Sequence, residues 1–293
     1  MRAVKLALLS AFLSGAGLAL PAAQAPKVWT PDELFRRNIG TREDQDTAFP
    51  PHKMIGNLYY VGTRTLASFL ITTPQGHILI NSDYERNVPT ISTSIEQLGF
   101  KYTDVKILLG SHAHADHMEG DALVKQLTGA TVMAMAEDVP ALEKMTPGGK
   151  PHPIDKILHD GDEVKLGGMT LVAHLTPGHT RGCTTWTFKV QDGGKSYEAL
   201  IIGSVGVNPG MKLFNNPDAP QIIEEFNRSF VTLRGLRPDI PLGSHPGMFG
   251  MAEKYPKLGK GPNPYIDPAG YKAELDIVEG VFRSQLAQQQ AQK

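Results

Sequence analysis

The sequence predicts an α/β protein in which two packed β-sheets are covered by helices on both outer faces. Strand patterns come first and helix patterns follow, and this succession occurs twice along the chain. No linker is apparent that would divide the chain into separate domains. Hydrophobic residues make up 41% of the chain and charged residues 20%, which is typical of a globular protein. We therefore expect a single layered domain.

The first half carries the strands of one sheet and the helices that cover it. Short apolar runs bounded by turn residues predict strands at residues 58–62, 68–73, 77–81, 105–110 and 131–135. Helices are expected near residues 89–98, 118–127 and 137–145. The Pro/Gly-rich stretch 145–153 that follows predicts a loop between the halves.

The second half repeats the pattern and predicts the second sheet. Strands are expected at residues 163–166, 169–175, 184–190, 197–203 and 238–242. Helices are expected at residues 219–236 and 267–289. Within the first of these helices, Ile222, Phe226, Phe230 and Leu233 recur at helical spacing and predict one apolar face.

The stretch Ser111-His112-Ala113-His114-Ala115-Asp116-His117 joins a predicted buried strand to a predicted helix. Three imidazoles and one carboxylate within six residues match the ligands that zinc prefers. Because His112 and His114 are two residues apart, extended backbone points them to the same side. Asp116 and His117 follow where the chain turns, so a second metal beside the first is plausible. The alternative is a histidine-rich surface loop, or histidines that are satisfied by hydrogen bonds.

Two further histidines strengthen the prediction of a metal site. His179 stands on a Pro-Gly turn after the apolar run 169–173, and His245 follows the last predicted strand in the same way. A tight turn at the end of a strand is a rigid place from which to present a ligand. The expected lid over this site is the loop 145–153.

The cluster His-x-His-x-Asp-His, then Gly178-His179-Thr180, then Ser244-His245-Pro246 resemble the metallo-β-lactamase superfamily. The resemblance covers roughly Met54 to the C-terminus and implies an αββα sandwich of two mixed sheets flanked by helices. Many hydrolases of that superfamily carry an aspartate that bridges two metals, where this chain has Ser204. The chain is therefore similar to the third subclass of the β-lactamases, whose ligands are histidine and aspartate alone.

The resemblance also implies the ligands and the chemistry. His112, His114 and His179 would hold a first zinc, and a second zinc would take Asp116, His117 and His245. A metal-bound hydroxide would attack the lactam carbonyl of penicillins, cephalosporins and carbapenems, with Asp116 orienting it. Ser204 would bind the substrate carboxylate, or would alternatively only pack beside the second zinc.

One position departs from the family pattern. Asn81 ends the strand at residues 77–81, where an aspartate is usual near the floor of the metal site. A neutral amide can accept a hydrogen bond from a histidine N–H, but it raises ligand basicity less than a carboxylate does. We therefore expect weaker binding of one metal.

The N-terminus predicts export. Arg2 and Lys5, the apolar run 6–20 and the small-residue pattern Ala23-Gln24-Ala25 are typical of a signal peptide over residues 1–25. Residues 26–293 would then form one domain in the periplasm, without a membrane anchor. The formal net charge is −1 and no basic stripe exists, so nucleic acid is not an expected partner. We expect a monomer that acts on a small molecule.

The remaining reactive side chains are expected to be ordinary. Cys183 alternates into a strand and predicts a buried small hydrophobe that forms no disulfide. His152 and His159 are expected to be solvated. Two other functions stay open: a hydrolase of the same fold acting on a lactone or thioester, and an exported zinc-binding protein with little catalysis.

Overall fold

The computed structural model describes residues 28–292, so the signal peptide expected over residues 1–25 lies outside the described residues. Two β-sheets and the helices around them make up this range. The strands are β1 His52–Ile55, β2 Leu58–Tyr60, β3 Phe69–Thr73, β4 Gly76–Ile80, β5 Val105–Leu109, β6 Thr131–Met135, β7 Lys156–Leu158, β8 Glu163–Leu166, β9 Met169–Leu175, β10 Thr184–Asp192, β11 Lys195–Ile202 and β12 Ile240–Gly243. The helices are α1 Pro31–Ile39, α2 Arg42–Asp46, α3 Val88–Gln97, α4 Ala115–Met118, α5 Asp121–Thr128, α6 Val139–Leu142, α7 Ile222–Gly235, α8 Met251–Lys254 and α9 Pro268–Ala291.

Both sheets are mixed, as the family resemblance implies. The first has seven strands in the order β1 to β7, antiparallel from β1 to β4 and parallel from β4 to β7. The second has five strands in the order β12-β11-β10-β9-β8, and only β11 and β12 run parallel. Because β4, β5 and β6 are parallel, their carboxyl ends meet at one edge of the first sheet.

Alternation along β5 shows how the layers are built. Ile107 and Leu109 face the core between the sheets, where they join a cluster that includes Trp186 of β10. Leu108 points to the other face and joins Ile91 of α3 in a separate cluster. Successive side chains of a strand point to opposite faces, and both faces of this strand are apolar because both are covered.

The second sheet is covered on its outer face in the same way. Ile201 of β11 faces the first sheet. Its neighbours Leu200 and Ile202 face outward and join Phe226 of α7 and Phe282 of α9. Helices therefore cover both outer faces of the paired sheets, and the predicted αββα sandwich is confirmed.

Several elements differ from the predicted ones. The sequence patterns did not indicate α1, α2, β1 or β7. The helix expected at residues 118–127 begins later, as α5, after the separate short helix α4; Gly120 lies between them, and a Cβ there would lie 2.6 Å from the Val88 side chain. The helix expected at residues 137–145 is instead a 3₁₀ turn at Ala136–Asp138 that runs into α6, and the Asp138 carboxylate accepts hydrogen bonds from the backbone N–H groups of Ala113 (2.8 Å) and Gly182 (2.7 Å). Within residues 28–292, no helix has the length and apolar character needed to cross a membrane.

Candidate metal centre

The predicted ligands lie at the ends of strands from both sheets. His112, His114, Asp116 and His117 occupy the link from β5 into α4, His179 follows β9, and His245 follows β12. The six side chains therefore meet at one end of the sandwich. At the turn before His179, Gly178 has φ +126°, and a Cβ there would lie 2.7 Å from the Phe226 ring. Only glycine combines that conformation with so close an approach.

The six side chains form two groups of three. The first group consists of His112, His114 and His179. Each ring contributes one nitrogen, and these three nitrogens lie within 4.8 Å of one another. His112 Nε2 and His114 Nδ1 are 3.1 Å apart. The same limit of 4.8 Å holds for the second group, formed by Asp116, His117 and His245.

Asp116 and the two histidines beside it give the second group its geometry. Asp116 Oδ2 lies 3.4 Å from His117 Nε2 and 3.7 Å from His245 Nε2. The ring centroids of His112 and His117 are 4.3 Å apart, so the two groups are adjacent. The structure thus brings together all six residues that the sequence singled out.

Hydrogen bonds at the far side of three rings orient them toward the centre. His179 Nδ1 donates to the Gly206 carbonyl at 2.7 Å, and His245 Nδ1 donates to the Thr65 carbonyl at 2.9 Å. His112 Nδ1 lies 3.2 Å from Ser111 Oγ. A proton held on Nδ1 leaves the lone pair of Nε2 directed inward, as ligation of a metal requires.

His117 supplies the strongest test of whether the group fits a metal. Its side chain is completely buried, and neither ring nitrogen makes a hydrogen bond within residues 28–292. A buried polar atom without a partner is costly, and native proteins rarely keep one. The His117 Nε2 atom lies beside an ionised carboxylate and two imidazoles. This position is explained if these groups bind a common cation.

The protonation states of the side chains also fit a metal. Burial lowers the pKa of His117 and of His179 to about 3, with neighbouring imidazoles adding to the effect at His179. Burial likewise lowers the pKa of His112 and of His245. Burial works to raise the pKa of Asp116, but the surrounding imidazoles together hold it below its usual value. Neutral imidazole and ionised carboxylate are the forms that bind divalent cations.

Asn81 does not act as the sequence led us to expect. Its side chain is fully buried, its Oδ1 accepts from the Ser111 N–H at 2.9 Å, and its Nδ2 donates to the Ala67 carbonyl at 3.0 Å. The residue also has φ +67°, a left-handed conformation that asparagine tolerates. Its amide therefore braces backbone below the site, and none of its described hydrogen bonds goes to a histidine.

A cavity of about 450 Å³ opens above the two groups. Five of the six candidate ligands line it, as does Ser204, whose Oγ accepts from the Gly206 N–H at 3.4 Å. His117 lies beneath the cavity. One wall of the cavity comes from α1 and the chain just after it, and Tyr84 adds to the rim. Ser204 thus lines the same cavity as five of the candidate ligands.

The expected lid is absent from the walls of this cavity. None of residues 145–153 lines it. His152, expected to be solvated, is instead buried behind α4 and α5, where its Nε2 lies 3.2 Å from Asp121 Oδ2 and 3.1 Å from the Met118 carbonyl. The buried Asp121 carboxylate needs a cationic or donor partner, and the loop folds inward to supply one. Both expectations about this loop were wrong.

Two other expectations are confirmed. Cys183 is fully buried, and burial raises the pKa of its thiol to about 12. His159 is exposed.

The wall formed by α1 was not anticipated, although Thr30, Pro31 and Glu33 make a capping box with proline in the first turn. That pattern is a recognised signal for the start of a helix.

Comparison with known proteins identifies relatives of this chain. The family model of the metallo-β-lactamase superfamily matches residues 62–193. The solved structure of the native FEZ-1 metallo-β-lactamase from Legionella gormanii is 51% identical, covers 84% of this chain and 98% of its own, and superposes with a TM-score of 0.80. BJP-1, a subclass B3 metallo-β-lactamase of Bradyrhizobium japonicum, is 35% identical with a TM-score of 0.79, covering 85% and 98%.

Curated relatives match over shorter stretches. A hydroxyacylglutathione hydrolase of Methylobacterium sp. (strain 4-46) is 31% identical over 103 residues, which is 35% of this chain and 37% of that relative. The human mitochondrial persulfide dioxygenase ETHE1 is 25% identical over 118 residues, 40% of this chain and 41% of its own. This chain spans about two fifths or less of the length of these curated relatives.

Proposed function

Because the chain belongs to the metallo-β-lactamase superfamily, we propose that it hydrolyses the amide bond of β-lactam antibiotics with zinc as cofactor. Penicillins, cephalosporins and carbapenems are its substrates, and their destruction confers antibiotic resistance. The observation that carries this proposal is the 51% identity, across 84% of this chain, with a metallo-β-lactamase. The two groups of histidine and aspartate side chains in one cavity support it.

Two zinc ions per chain are the proposed complement. His112, His114 and His179 hold the first ion, and the second is held by Asp116, His117 and His245. The convergence of each set within 4.8 Å and the unpartnered ring of His117 support this assignment. When bound, zinc acts as a Lewis acid. It lowers the pKa of water from about 15.7 in bulk to about 7.

Asp116 is the proposed catalytic residue. Its Oδ2 faces His117 and His245, so Oδ1 is the oxygen left to orient the attacking water. An ionised carboxylate can also accept the proton that this water loses and pass it toward the departing lactam nitrogen. The imidazoles that keep the pKa of Asp116 low preserve the ionised form that orients the water.

Ser204 is the proposed contact for the substrate carboxylate. Its Oγ already accepts from the Gly206 N–H, so its own O–H is left to donate into the cavity. Hydrogen bonds to an ionised group are stronger than those between neutral groups. A serine at this position also adds no negative charge to the cavity. Such a charge would repel an anionic substrate.

Substitution of Ser204 tests this role. Ser204→Ala is expected to leave the zinc content unchanged and to weaken substrate binding by about 1.5–3 kcal/mol at most, seen as a higher KM. Ser204→Asp is expected to bind zinc more tightly and to lose most cephalosporin hydrolysis, because the new carboxylate repels that of the substrate. Zinc titration and steady-state kinetics on both variants measure these effects. Loss of zinc from Ser204→Ala would contradict the proposed role.

A panel of substrates tests the function as a whole. A chromogenic cephalosporin, benzylpenicillin and a carbapenem are offered to the zinc-loaded protein beside a lactone and a glutathione thioester. We expect β-lactams to be hydrolysed faster than either alternative. Faster turnover of the thioester or lactone would identify a different hydrolase of the same fold, and zinc binding without turnover would indicate a binding protein.

The proposed setting of the enzyme is the periplasm. Residues 1–25 act as a signal peptide and residues 26–293 form a single domain that works as a monomer. The basic, apolar and small-residue segments at the start of the sequence support export. Neither nucleic acid nor a membrane is a proposed partner, and the near-neutral formal charge of −1 agrees with that.

A further inference from the structure

Helix α1 forms an apolar wall on one side of the cavity. Phe35, Asn38 and Ile39 all line the cavity, and their spacing of i, i+3 and i+4 places them on one face of the helix. Phe35 keeps 42% of its surface exposed. An exposed aromatic ring beside a polar metal centre gives this wall a surface that water solvates poorly and an apolar ligand can cover.

Two other residues of α1 anchor the helix to the body of the protein. Leu34 is 2% exposed and belongs to the cluster formed with α7 and α9. The Arg37 guanidinium pairs with the buried Glu274 of α9 through two hydrogen bonds of 2.8 and 2.5 Å. Bidentate pairs of this kind restrict orientation as well as adding energy. The wall is therefore held in place before a ligand arrives, which favours selective binding.

Arg37 also orients the polar group of the wall. Its Nε donates to Asn38 Oδ1 at 3.0 Å. Because the oxygen of the amide faces a donor, the Nδ2 group is the part of Asn38 left to donate to a ligand in the cavity. The wall thus presents apolar surface and one hydrogen-bond donor side by side.

We infer that α1 recognises the acylamino side chain of a β-lactam: the apolar end of that side chain packs on Phe35 and Ile39, and its amide carbonyl accepts from Asn38 Nδ2. This inference rests on the proposed function and names the substrates that it favours, namely β-lactams with an aromatic or bulky apolar acylamino group. Ser204 already accounts for the substrate carboxylate. The acylamino side chain is the remaining substrate group that combines a carbonyl acceptor with apolar surface.

The test compares two substrates on the zinc-loaded protein. Benzylpenicillin carries a phenylacetamido side chain, whereas imipenem carries a small hydroxyethyl group and no acylamino carbonyl. Phe35→Ala is expected to raise KM for benzylpenicillin about tenfold, as removal of a ring-sized apolar contact does. Asn38→Ala is expected to raise it about fivefold, which corresponds to one hydrogen bond. For imipenem both rises should be at least threefold smaller, and kcat should change less than KM.

A matched control separates recognition from a general effect of losing exposed apolar surface. Ile157 on β7 is 48% exposed and does not line the cavity, so Ile157→Ala should leave both KM values unchanged. Zinc content and the thermal unfolding midpoint report that each variant is folded. Equal rises in KM for the two substrates, or no rise for benzylpenicillin, would overturn the inference while leaving the β-lactamase function intact. Wild-type protein that hydrolyses neither substrate would instead refute the proposed function.

Discussion

Removal of zinc with a chelator is expected to abolish β-lactam hydrolysis, and added Zn²⁺ is expected to restore it. In the proposed mechanism all six candidate ligands hold zinc, and the chain contains no Ser-x-x-Lys tetrapeptide that could acylate instead. A serine-directed acylating inhibitor should therefore have no effect. Activity is followed with a chromogenic cephalosporin before chelation, after chelation and after zinc is returned.

The chelation experiment must separate loss of activity from loss of the folded structure. Unfolding on chelation would also stop turnover, so circular dichroism is recorded at each step. We expect the αββα sandwich to remain folded without metal, because its three large apolar clusters do not depend on the ligands. Turnover that persists at full rate in the chelated, folded protein would refute the zinc mechanism.

Single substitutions are expected to empty the two metal sites separately. His114→Ala removes a ligand of the first site and His245→Ala one of the second, so elemental analysis should show zinc falling from about two per chain toward one in each variant. Even changes outside the ligand set cost about 10–100-fold in affinity or activity, and loss of a ligand should cost at least as much. The sites are separable because each has its own set of three side chains.

An exposed histidine provides the control for this pair. His159 is exposed and lines no part of the cavity, so His159→Ala should retain two zinc ions and the full rate. His245→Ala with full zinc and full rate would show that His245 is not a ligand. Loss of both ions from either variant would show that the two sites form together.

Local pattern sufficed for much of the fold and for identifying the candidate ligands, whereas their division into two sets came from the family resemblance. The strand β5 runs directly into the His112–His117 link, and a strand end followed by a turn constrains where its side chains point. His179 and His245 were recognisable because each follows a strand within a Pro/Gly turn. These features depend on residues a few positions apart, which the sequence displays directly.

Contacts between distant segments were the part that the sequence did not reveal. Asn81 was expected near the floor of the metal site, where its amide could accept from a histidine N–H, yet its partners are the backbone of Ala67 and Ser111. His152 was expected in solvent, yet it pairs with Asp121. In both cases the local pattern shows a polar residue in or beside a loop. The local pattern does not show which buried donor or acceptor elsewhere in the chain needs a hydrogen-bond partner.

The sequence by itself determined the layered fold class, the six candidate ligands, and the resemblance that indicates zinc and β-lactams. Only the tertiary structure decided what surrounds them: the Pro/Gly loop folds away behind α4 and α5, and α1 walls the cavity instead. The docking of α1 depends on Arg37 and Glu274, which are 237 positions apart. Periodicity reports on neighbours within a few turns or strands, whereas the walls of a cavity are chosen by packing and charge pairing across the whole chain.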